Sequence, residues 1–229
     1  MRKRKTPFDD GFQAYLTVGA EYEGEEGIPK MLGLGNIRVP KGTVSFPRCK
    51  NEKNKRLYVH FYVHDYLFSD FLSATKEYVE LLRSFDGVIA PDPTILIGQS
   101  KCLQATNVYF SRAVGYYLQR NGIPVIPNIR WGEEKTYSFA FLGVPKHSIV
   151  AISTHGCIQK DKETKNLVRD TFMKGLPVML DKLEPTTVVV YGKAPLDIFG
   201  PYLEKAKFIR FPSETELAHE GGENHGIEL

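Results

Sequence analysis

Short apolar runs alternate with longer segments of helical periodicity between residues 57 and 212, and no other feature constrains the fold as strongly. Strands that alternate with helices of about ten or more residues imply right-handed crossovers and a largely parallel sheet. The runs are almost entirely apolar, which is typical of strands covered on both faces. We therefore predict an α/β fold. It would have a largely parallel sheet of about five to six strands with helices on its faces, either open and doubly wound or a partial barrel. The predicted strands are residues 57–65, 87–90, 123–127, 148–153, 186–191 and 207–211.

The first predicted strand alternates most clearly. Val59, Phe61 and Val63 would share one face, and the other face would carry Tyr58, His60, Tyr62 and His64. On a helix His60 and His64 would be neighbours and could share a metal ion. On a strand they lie about 13 Å apart, so we predict no metal site there.

Two segments are the best helix candidates. Residues 102–120 end at Asn121-Gly122, a sequence typical of a left-handed C-cap. Residues 161–183 carry a regular apolar stripe, but Pro177 lies inside them and should kink or split the helix.

Composition divides the chain into three parts. We predict an irregular N-terminal region at 1–56, packed on the main domain, an α/β domain at 57–212 and a flexible acidic tail at 213–229. The chain has 30 Lys and Arg against 27 Asp and Glu, a net charge of +3. Residues 2–5 and the loop Arg48–Arg56 are basic, whereas the tail contains five glutamates and no lysine or arginine. The α/β body is close to neutral, which weighs against a basic nucleic-acid-binding core.

Several classes of protein are disfavoured. No run approaches the roughly 18 apolar residues of a membrane helix, and no apolar segment follows the basic start, so we predict neither a membrane span nor a secretory leader. Three widely spaced cysteines favour a reduced, cytoplasmic protein over a disulfide scaffold. Without a Cys-x-x-Cys pair, a Walker loop, a dinucleotide-binding glycine motif or a GxSxG elbow, the sequence indicates no particular metal or cofactor.

Polar residues follow nearly every predicted strand. Ligands of parallel α/β sheets bind beyond the carboxyl ends of the strands, so we expect these residues to converge on one site. Asp92 is the best candidate for a general base or metal ligand, and His155 is the second candidate catalytic residue. The predicted ligand-binding residues are Asn107, Arg112, Asn128, Arg130, Trp131, Ser153, Thr154 and Tyr191.

Each candidate also has a structural interpretation. Asp92 lies in Pro-Asp-Pro, which is typical of a turn, Trp131 also suits a core, and His155 also suits an exposed loop. Arg112 belongs to the polar side of the helix at 102–120, which lacks the many lysines and glutamates of a solvated face. It would either pair with Asp92 or act as an anion clamp.

The stretch from Val88 to Gly156 resembles a known family. The motifs are Val88-Ile-Ala-Pro-Asp92-Pro-Thr94, Gln104-x-x-Asn107, Arg112-x-x-Gly115-x-Tyr117, Gly122-Ile-Pro-Val-Ile-Pro127 with Trp131, Val150-Ala-Ile-Ser153-Thr154-x-Gly156 and Tyr191-Gly192. Together they are similar to a family of bacteriophages, plasmids and integrative elements known only as a domain of unknown function, with cover from about residue 40 to 212. In that family a second acidic residue follows the Pro-Asp motif, whereas this sequence reads Pro93-Thr-Ile-Leu-Ile-Gly98, which argues against a two-carboxylate mechanism. The resemblance implies a phage or mobile-element origin and no known activity.

Two functions fit these features. The first is a small-molecule site at the carboxyl ends of the strands, where a nucleotide-like, phosphorylated or sugar-bearing ligand is bound or hydrolysed. The alternative is a nucleic-acid-associated accessory protein of a mobile element that contacts phosphates through its basic N-terminal segments. Those contacts would come from Arg48, Lys50, Lys53, Lys55 and Arg56. The sequence leaves the ligand, the oligomeric state and the choice between binding and catalysis open, and the neutral body favours the first function.

Overall fold

The computed structural model of the chain describes residues 13–33, 35, 37–158, 163–220 and 224–229, and their fold is α/β. The helices are α1 (Phe46–Cys49), α2 (Ser69–Ser73), α3 (Thr75–Arg83), α4 (Lys101–Arg120), α5 (Glu163–Leu183), α6 (Leu196–Phe199) and α7 (Glu214–Glu220). The strands are β1 (Tyr22–Glu23), β2 (Ile28–Pro29), β3 (Thr43–Ser45), β4 (Tyr58–His60), β5 (Gly87–Ile89), β6 (Val125–Ile126), β7 (Ile149–Ser153), β8 (Thr187–Tyr191), β9 (Lys207–Phe211) and β10 (Ile227–Glu228). Turns of 3-10 helix lie at Ala14–Thr17, Asp65–Leu67, Glu134–Ser138 and Gly200–Tyr202.

The strands form two four-stranded sheets and a small hairpin. The first sheet is parallel throughout, in the order β3-β4-β5-β6, and the second has the order β10-β9-β8-β7, in which only β10 is antiparallel to its neighbour. Strands β1 and β2 make the antiparallel hairpin. In the second sheet Val188 of β8 lies opposite Val150 on one side and Phe208 on the other.

A short bridge makes the two large sheets continuous. Asn128, just past β6, forms a parallel bridge with Ala151 of β7. The N–H of Ile129 donates to the carbonyl of Ala151 at 2.8 Å, and the N–H of Ala151 donates to the carbonyl of Pro127 at 2.9 Å. From β3 to β9 the strands therefore follow one another in chain order, without the reversal that defines a doubly wound sheet.

The inner face of this continuous sheet carries one apolar cluster. It contains residues of six consecutive strands, namely Tyr58, Ile89, Ile126, Ala151, Val189 and Ile209. Neighbouring residues on the same strands point outward, where one cluster packs under α2, α3 and α4 and a second packs under α5 and α6. Burial on both faces explains why the strands are apolar without interruption.

The two edges of the curved sheet are linked by Asn224. Its Oδ1 accepts hydrogen bonds from the N–H and the hydroxyl of Thr43 in β3, at 3.4 and 3.3 Å. Its amide donates to the carbonyl of Thr43, and a few residues later β10 pairs with β9. The segment before β10 therefore returns to the first strand of the sheet, β3.

Helices α4 and α5 match the predicted segments, and α5 runs through Pro177 as a single helix. The first predicted strand is shorter than expected, because the N–H of Val63 turns back to the carbonyl of Phe61 and a 3-10 turn follows. Its alternation holds as far as Tyr62, with Val59 and Phe61 in the outer cluster and Tyr62 in the inner one.

Both flanking regions contain regular elements. The region 1–56 contributes β3, which pairs with β4, so the parallel strands begin before residue 57. The segment predicted as a flexible tail contains α7 and β10. A capping box starts α7: the N–H and hydroxyl of Ser213 both donate to Glu216, and the N–H of Glu216 donates back to the hydroxyl oxygen of Ser213. None of the helices in the segments that the structure describes is both long enough and apolar enough to cross a membrane.

Candidate functional site

The buried carboxylate of Asp92 is the centre of the candidate site. Asp92 lies just past β5, where the neighbouring strand β6 also ends and leads to Asn128 and Arg130. The amide of Asn128 donates to Oδ1 of Asp92 at 2.8 Å, and Nη1 of Arg130 donates to Oδ2 at 2.5 Å. Both carboxylate oxygens therefore accept a hydrogen bond, one of them charge-assisted, as an ionised carboxylate requires.

Tyr62 holds the amide of Asn128 in place. Its hydroxyl donates to Oδ1 of Asn128 at 3.0 Å, which leaves the nitrogen of the amide to face Asp92. Burial raises the pKa of Tyr62 well above its ordinary value of 10.0, and the charge of Asp92 raises it further. The phenol is therefore neutral at physiological pH and acts as a donor. In the buried chain Tyr62–Asn128–Asp92–Arg130, Tyr62 donates to Asn128 and Asn128 donates to Asp92.

Arg130 is the member of this chain that faces solvent. Its side chain is 30% exposed, against 6% for Asp92. Burial by itself lowers the pKa of Arg130, but Asp92, Cys157 and Asp65 together outweigh that effect, Asp92 most of all, so the pKa is raised. The guanidinium is thus permanently charged. Its Nη1 is held by Asp92, and the side chain remains partly accessible to solvent.

A cavity of about 490 Å³ opens beside this pair, within the size range of small-molecule sites. Its walls are mostly apolar. Trp131 stacks on Phe172 of α5 with ring centroids 5.1 Å apart, and the indole N–H donates to the carbonyl of Thr171 at 3.3 Å. The lining residues are Asp92, Ile95, Leu96, Ile97, Ile129, Arg130, Trp131, Ser153, His155, Gly156, Cys157, Leu167, Val168, Thr171 and Phe172.

Five of the predicted site residues line this cavity: Asp92, Arg130, Trp131, Ser153 and His155. They come from the ends of β5, β6 and β7, as the rule for parallel strands predicts. His155 is exposed at the mouth, and its backbone N–H donates to the hydroxyl of Ser153 at 3.2 Å.

Arg112 does not line this cavity. One alternative predicted for it was an ion pair with Asp92, but Arg130 makes that pair. Arg112 is fully buried in α4, and its guanidinium donates to the carbonyls of Asn128, Ala140 and Leu142 at 2.7–3.0 Å. Arg112 therefore ties the segment after β6 to the segment 140–142 from outside the cavity.

The remaining predicted residues support loops around the site. Asn107 donates to the carbonyl of Thr94 at 2.6 Å, and Thr94 in turn donates to the carboxylate of Asp65. The hydroxyl of Thr154 donates to the carbonyl of Lys193 at 2.7 Å. The hydroxyl of Tyr191 accepts from the N–H of Glu214 at 3.1 Å, and burial raises the pKa of this tyrosine to about 12.

The apolar walls of the cavity were not predicted as part of a site. Ile95, Leu96 and Ile97 come from the loop after Asp92, where the sequence departs from the family pattern, and Leu167 and Phe172 come from α5. Alternation along the first predicted strand could have found Tyr62, because it places that residue on the inner face. Nothing in the sequence pairs it with Asn128, 66 residues away.

The site has no feature that indicates a metal or a reactive thiol. In the segments that the structure describes, no three His, Cys, Asp or Glu residues are grouped so that they could hold a metal ion. Cys157 lines the cavity, but burial raises the pKa of its thiol and the opposing effect of Arg130 is smaller, so the thiol stays protonated at neutral pH.

Three basic side chains of the loop Arg48–Arg56 contact other groups of the protein. Nε of Arg48 lies 3.4 Å from the carboxylate of Glu214, and Lys55 lies over the ring of Phe85 at 4.1 Å from its centroid. Lys50 lies 5.4 Å from the ring centroid of Tyr78. Lys53 and Arg56 are exposed, and the basic residues 2–5 lie outside the described part of the chain.

The fold and the cavity define an α/β protein with a buried carboxylate–guanidinium pair at the carboxyl edge of its parallel strands. Residues 20–212 match the family described as "Domain of unknown function (DUF4417)", and the chain belongs to that family. This confirms the resemblance inferred from the motifs between Val88 and Gly156.

Two curated relatives are phage proteins. The "Gene 1 protein" of Mycobacterium phage L5 is 33% identical over 135 residues, which cover 59% of this chain and 57% of the relative. The "Gene 1 protein" of Mycobacterium phage D29 is 31% identical over 135 residues, or 59% of this chain and 48% of the relative. The chain thus spans about half the length of these relatives. No solved structure matches it significantly.

Proposed function

We propose that this protein binds a small molecule in the cavity beside Asp92 and Arg130. One observation carries the proposal: a charged pair, held by two further buried side chains, borders an apolar cavity of about 490 Å³ at the carboxyl ends of three parallel strands. Burying charged groups costs free energy unless they are paired and hydrogen-bonded, as Asp92 and Arg130 are. The phage relatives support an origin in a phage or another mobile element.

In this proposal Asp92 positions Arg130. Because both oxygens of Asp92 already accept hydrogen bonds, the carboxylate is better placed to orient the guanidinium than to take a proton from a ligand. Arg130 then contacts the ligand directly, and His155 lies exposed among the residues that line the cavity. Binding is therefore better supported than hydrolysis.

The alternative of nucleic-acid contact has weaker support. Of its five predicted residues, Arg48, Lys50 and Lys55 are each engaged within the protein. Contact through this loop would make retention on DNA strongly dependent on salt, and neutralising Lys53 and Arg56 should then abolish the retention.

Thermal unfolding with a panel of nucleotides, sugar phosphates and aromatic acids tests the proposal. A ligand present at 100 times its Kd stabilises the folded state by about 2.7 kcal/mol, which raises the Tm by several degrees. Leu96 lines the mouth of the cavity and is 53% exposed, so Leu96→Glu should fold normally and lose the shift. Leu196→Glu alters an even more exposed leucine outside the cavity lining and should keep the shift. An equal shift in both variants, or no shift with any compound, contradicts the proposal.

A further inference from the structure

The lining of the cavity has a charge pattern that narrows the ligand class. Among the described residues that line it, Arg130 is the only Lys or Arg, and Asp92 balances its charge. A triphosphate would therefore lose the hydration of several negative charges and find a single cation in return. A ligand with many hydroxyl groups is also disfavoured, since each buried polar group without a partner costs about 1–3 kcal/mol.

The walls of the cavity favour a ligand with an apolar body. Eight of the fifteen lining residues are Ile, Leu, Val, Phe or Trp. The indole N–H of Trp131 is already bonded to Thr171, so this residue offers mainly its ring surface. At the mouth Leu96 and Leu167 are 53% and 54% exposed, and covering such surface gains about 25 cal/mol per Å².

The position of Arg130 fixes where an anionic group would bind. Its Nη1 is bonded to Asp92, which leaves the rest of the guanidinium to face the cavity in a fixed orientation. Asp92 itself is 6% exposed and satisfied at both oxygens, so a ligand meets the arginine first. A carboxylate or phosphate is the group that matches a guanidinium.

We propose that the ligand is a compact amphipathic molecule with a single anionic group: one carboxylate or phosphate group on Arg130, joined to an apolar or aromatic body that lies against Trp131 and the leucines at the mouth. This inference rests on the proposed function and specifies its ligand. It favours a simple aromatic or aliphatic acid, or its monophosphate, over a nucleoside triphosphate or a free sugar.

A matched pair of fluorescent probes tests the anionic group. Anilinonaphthalene sulfonate and N-phenylnaphthylamine share the same aromatic body, and only the first carries a negative charge. Trp131 is the single tryptophan of the chain and lines the cavity, so energy transfer from it reports binding at this place. We expect the sulfonate to bind at least about tenfold more tightly, a difference of about 1.4 kcal/mol. Competition by naphthoate and by naphthyl phosphate then distinguishes a carboxylate from a phosphate group.

A double variant removes the charge without leaving Asp92 unpaired. Arg130→Met alone would strand a buried carboxylate and could unfold the protein, so it is combined with Asp92→Asn. In this variant the preference for the sulfonate should fall to about threefold or less, while N-phenylnaphthylamine binds as before. Arg83→Met, which removes an exposed arginine of α3 outside the cavity lining, should leave both affinities unchanged.

The outcomes separate the two proposals. Equal affinities for the two probes in the unaltered chain, or a preference that survives in the double variant, overturn the assignment of Arg130 as the anion contact. Tighter binding of ATP or of a hexose phosphate overturns the ligand class but leaves the cavity as a small-molecule site. If no compound changes the fluorescence of Trp131 or the Tm, both proposals fail.

Discussion

His60 is buried on the inner face of β4, next to the candidate site. Its Nδ1 accepts a hydrogen bond from the N–H of Tyr62 at 3.2 Å, so the ring carries its proton on Nε2. The ring lies 4.4 Å from that of Tyr191, centroid to centroid. Burial, and to a smaller extent the charge of His155, lowers the pKa of His60 from 6.5 to about 3. The folded protein therefore keeps this imidazole neutral where the unfolded chain would protonate it.

This difference predicts a loss of stability in mild acid. Between pH 6.5 and about 3 the unfolded chain binds a proton at His60 that the folded protein does not bind, so the free energy of unfolding falls as the pH falls. Well above pH 6.5 His60 is neutral in both states and the effect is absent. At pH 5 it should lower the free energy of unfolding by about 2 kcal/mol. Urea unfolding at pH 5, 6, 7 and 8 measures the slope.

His60→Asn isolates the contribution of this one group. Asparagine keeps an acceptor for the N–H of Tyr62 and cannot titrate, so the variant should be less stable overall but should lose most of the slope between pH 5 and 7. His64→Asn changes an exposed histidine and should leave the slope intact. If His60→Asn keeps the full slope, the acid sensitivity originates elsewhere.

At the scale of elements, the packing of α5 on Trp131 shapes the apolar wall of the cavity. Gly175 of α5 lies directly against the indole, and a Cβ atom at this position would overlap the ring. Alanine normally stabilises a helix by about 1 kcal/mol relative to glycine. Here the overlap should cost more than that gain, because overpacking costs about 1–3 kcal/mol.

Gly175→Ala should therefore destabilise the protein by about 1 kcal/mol and move Trp131 toward solvent, with a red shift of its emission. Gly115→Ala in α4 is the matched control. Its Cβ would overlap the end of the flexible Met31 side chain and contact Ala90 at an ordinary distance of 3.6 Å, so the effect on stability should be small. A Gly175→Ala protein that is as stable as the control, with unchanged emission, would show that α5 does not press on the indole.

Elements with a periodic pattern or a continuous apolar run could be predicted from the sequence, including the short strands β5 and β6, whereas β3 and β10 could not. Helices α4 and α5 give periodic signals over five turns or more, so their positions were predicted closely. Strand β3 reads Thr-Val-Ser and β10 reads Ile-Glu, so neither stands out as an apolar run. Both are fixed by pairing with distant strands rather than by local preference.

The candidate site follows the same rule. The convergence of Asp92, Arg130 and Ser153 follows from where parallel strands end, and sequence alone predicts it. The choice of Arg130 over Arg112 as the partner of Asp92 depends on tertiary packing. Alternate residues of an extended segment share a face, so Asn128 and Arg130 lie on the same inner face as Ile126. Arg112 belongs to α4 on the outer side of the sheet.

At the scale of the whole molecule, the segment before the last strand, β10, contacts the first strand of the sheet, β3. Asn224 binds Thr43 across 181 positions, and α7 lies next to the basic loop, where Glu214 meets Arg48 at 3.4 Å. The acidic and basic segments that stand out in the sequence are therefore neighbours in the fold. This surface ion pair contributes at most about 1 kcal/mol, so the closure of the sheet depends more on the hydrogen bonds of Asn224.

Asn224→Ala tests how much this closure stabilises the molecule. The substitution removes the acceptor of the N–H and hydroxyl of Thr43 and the donor to its carbonyl, on a strand that is otherwise buried. We expect a loss of about 1–2 kcal/mol in the free energy of unfolding, since the groups left on Thr43 regain water only in part. Asn54→Ala removes an asparagine that bonds the N–H of Arg56 within an exposed loop, and should cost less than about 0.5 kcal/mol. Urea unfolding with an unchanged m-value measures both, and equal stabilities of the two variants would mean that the contact of Asn224 with Thr43 does not stabilise the fold.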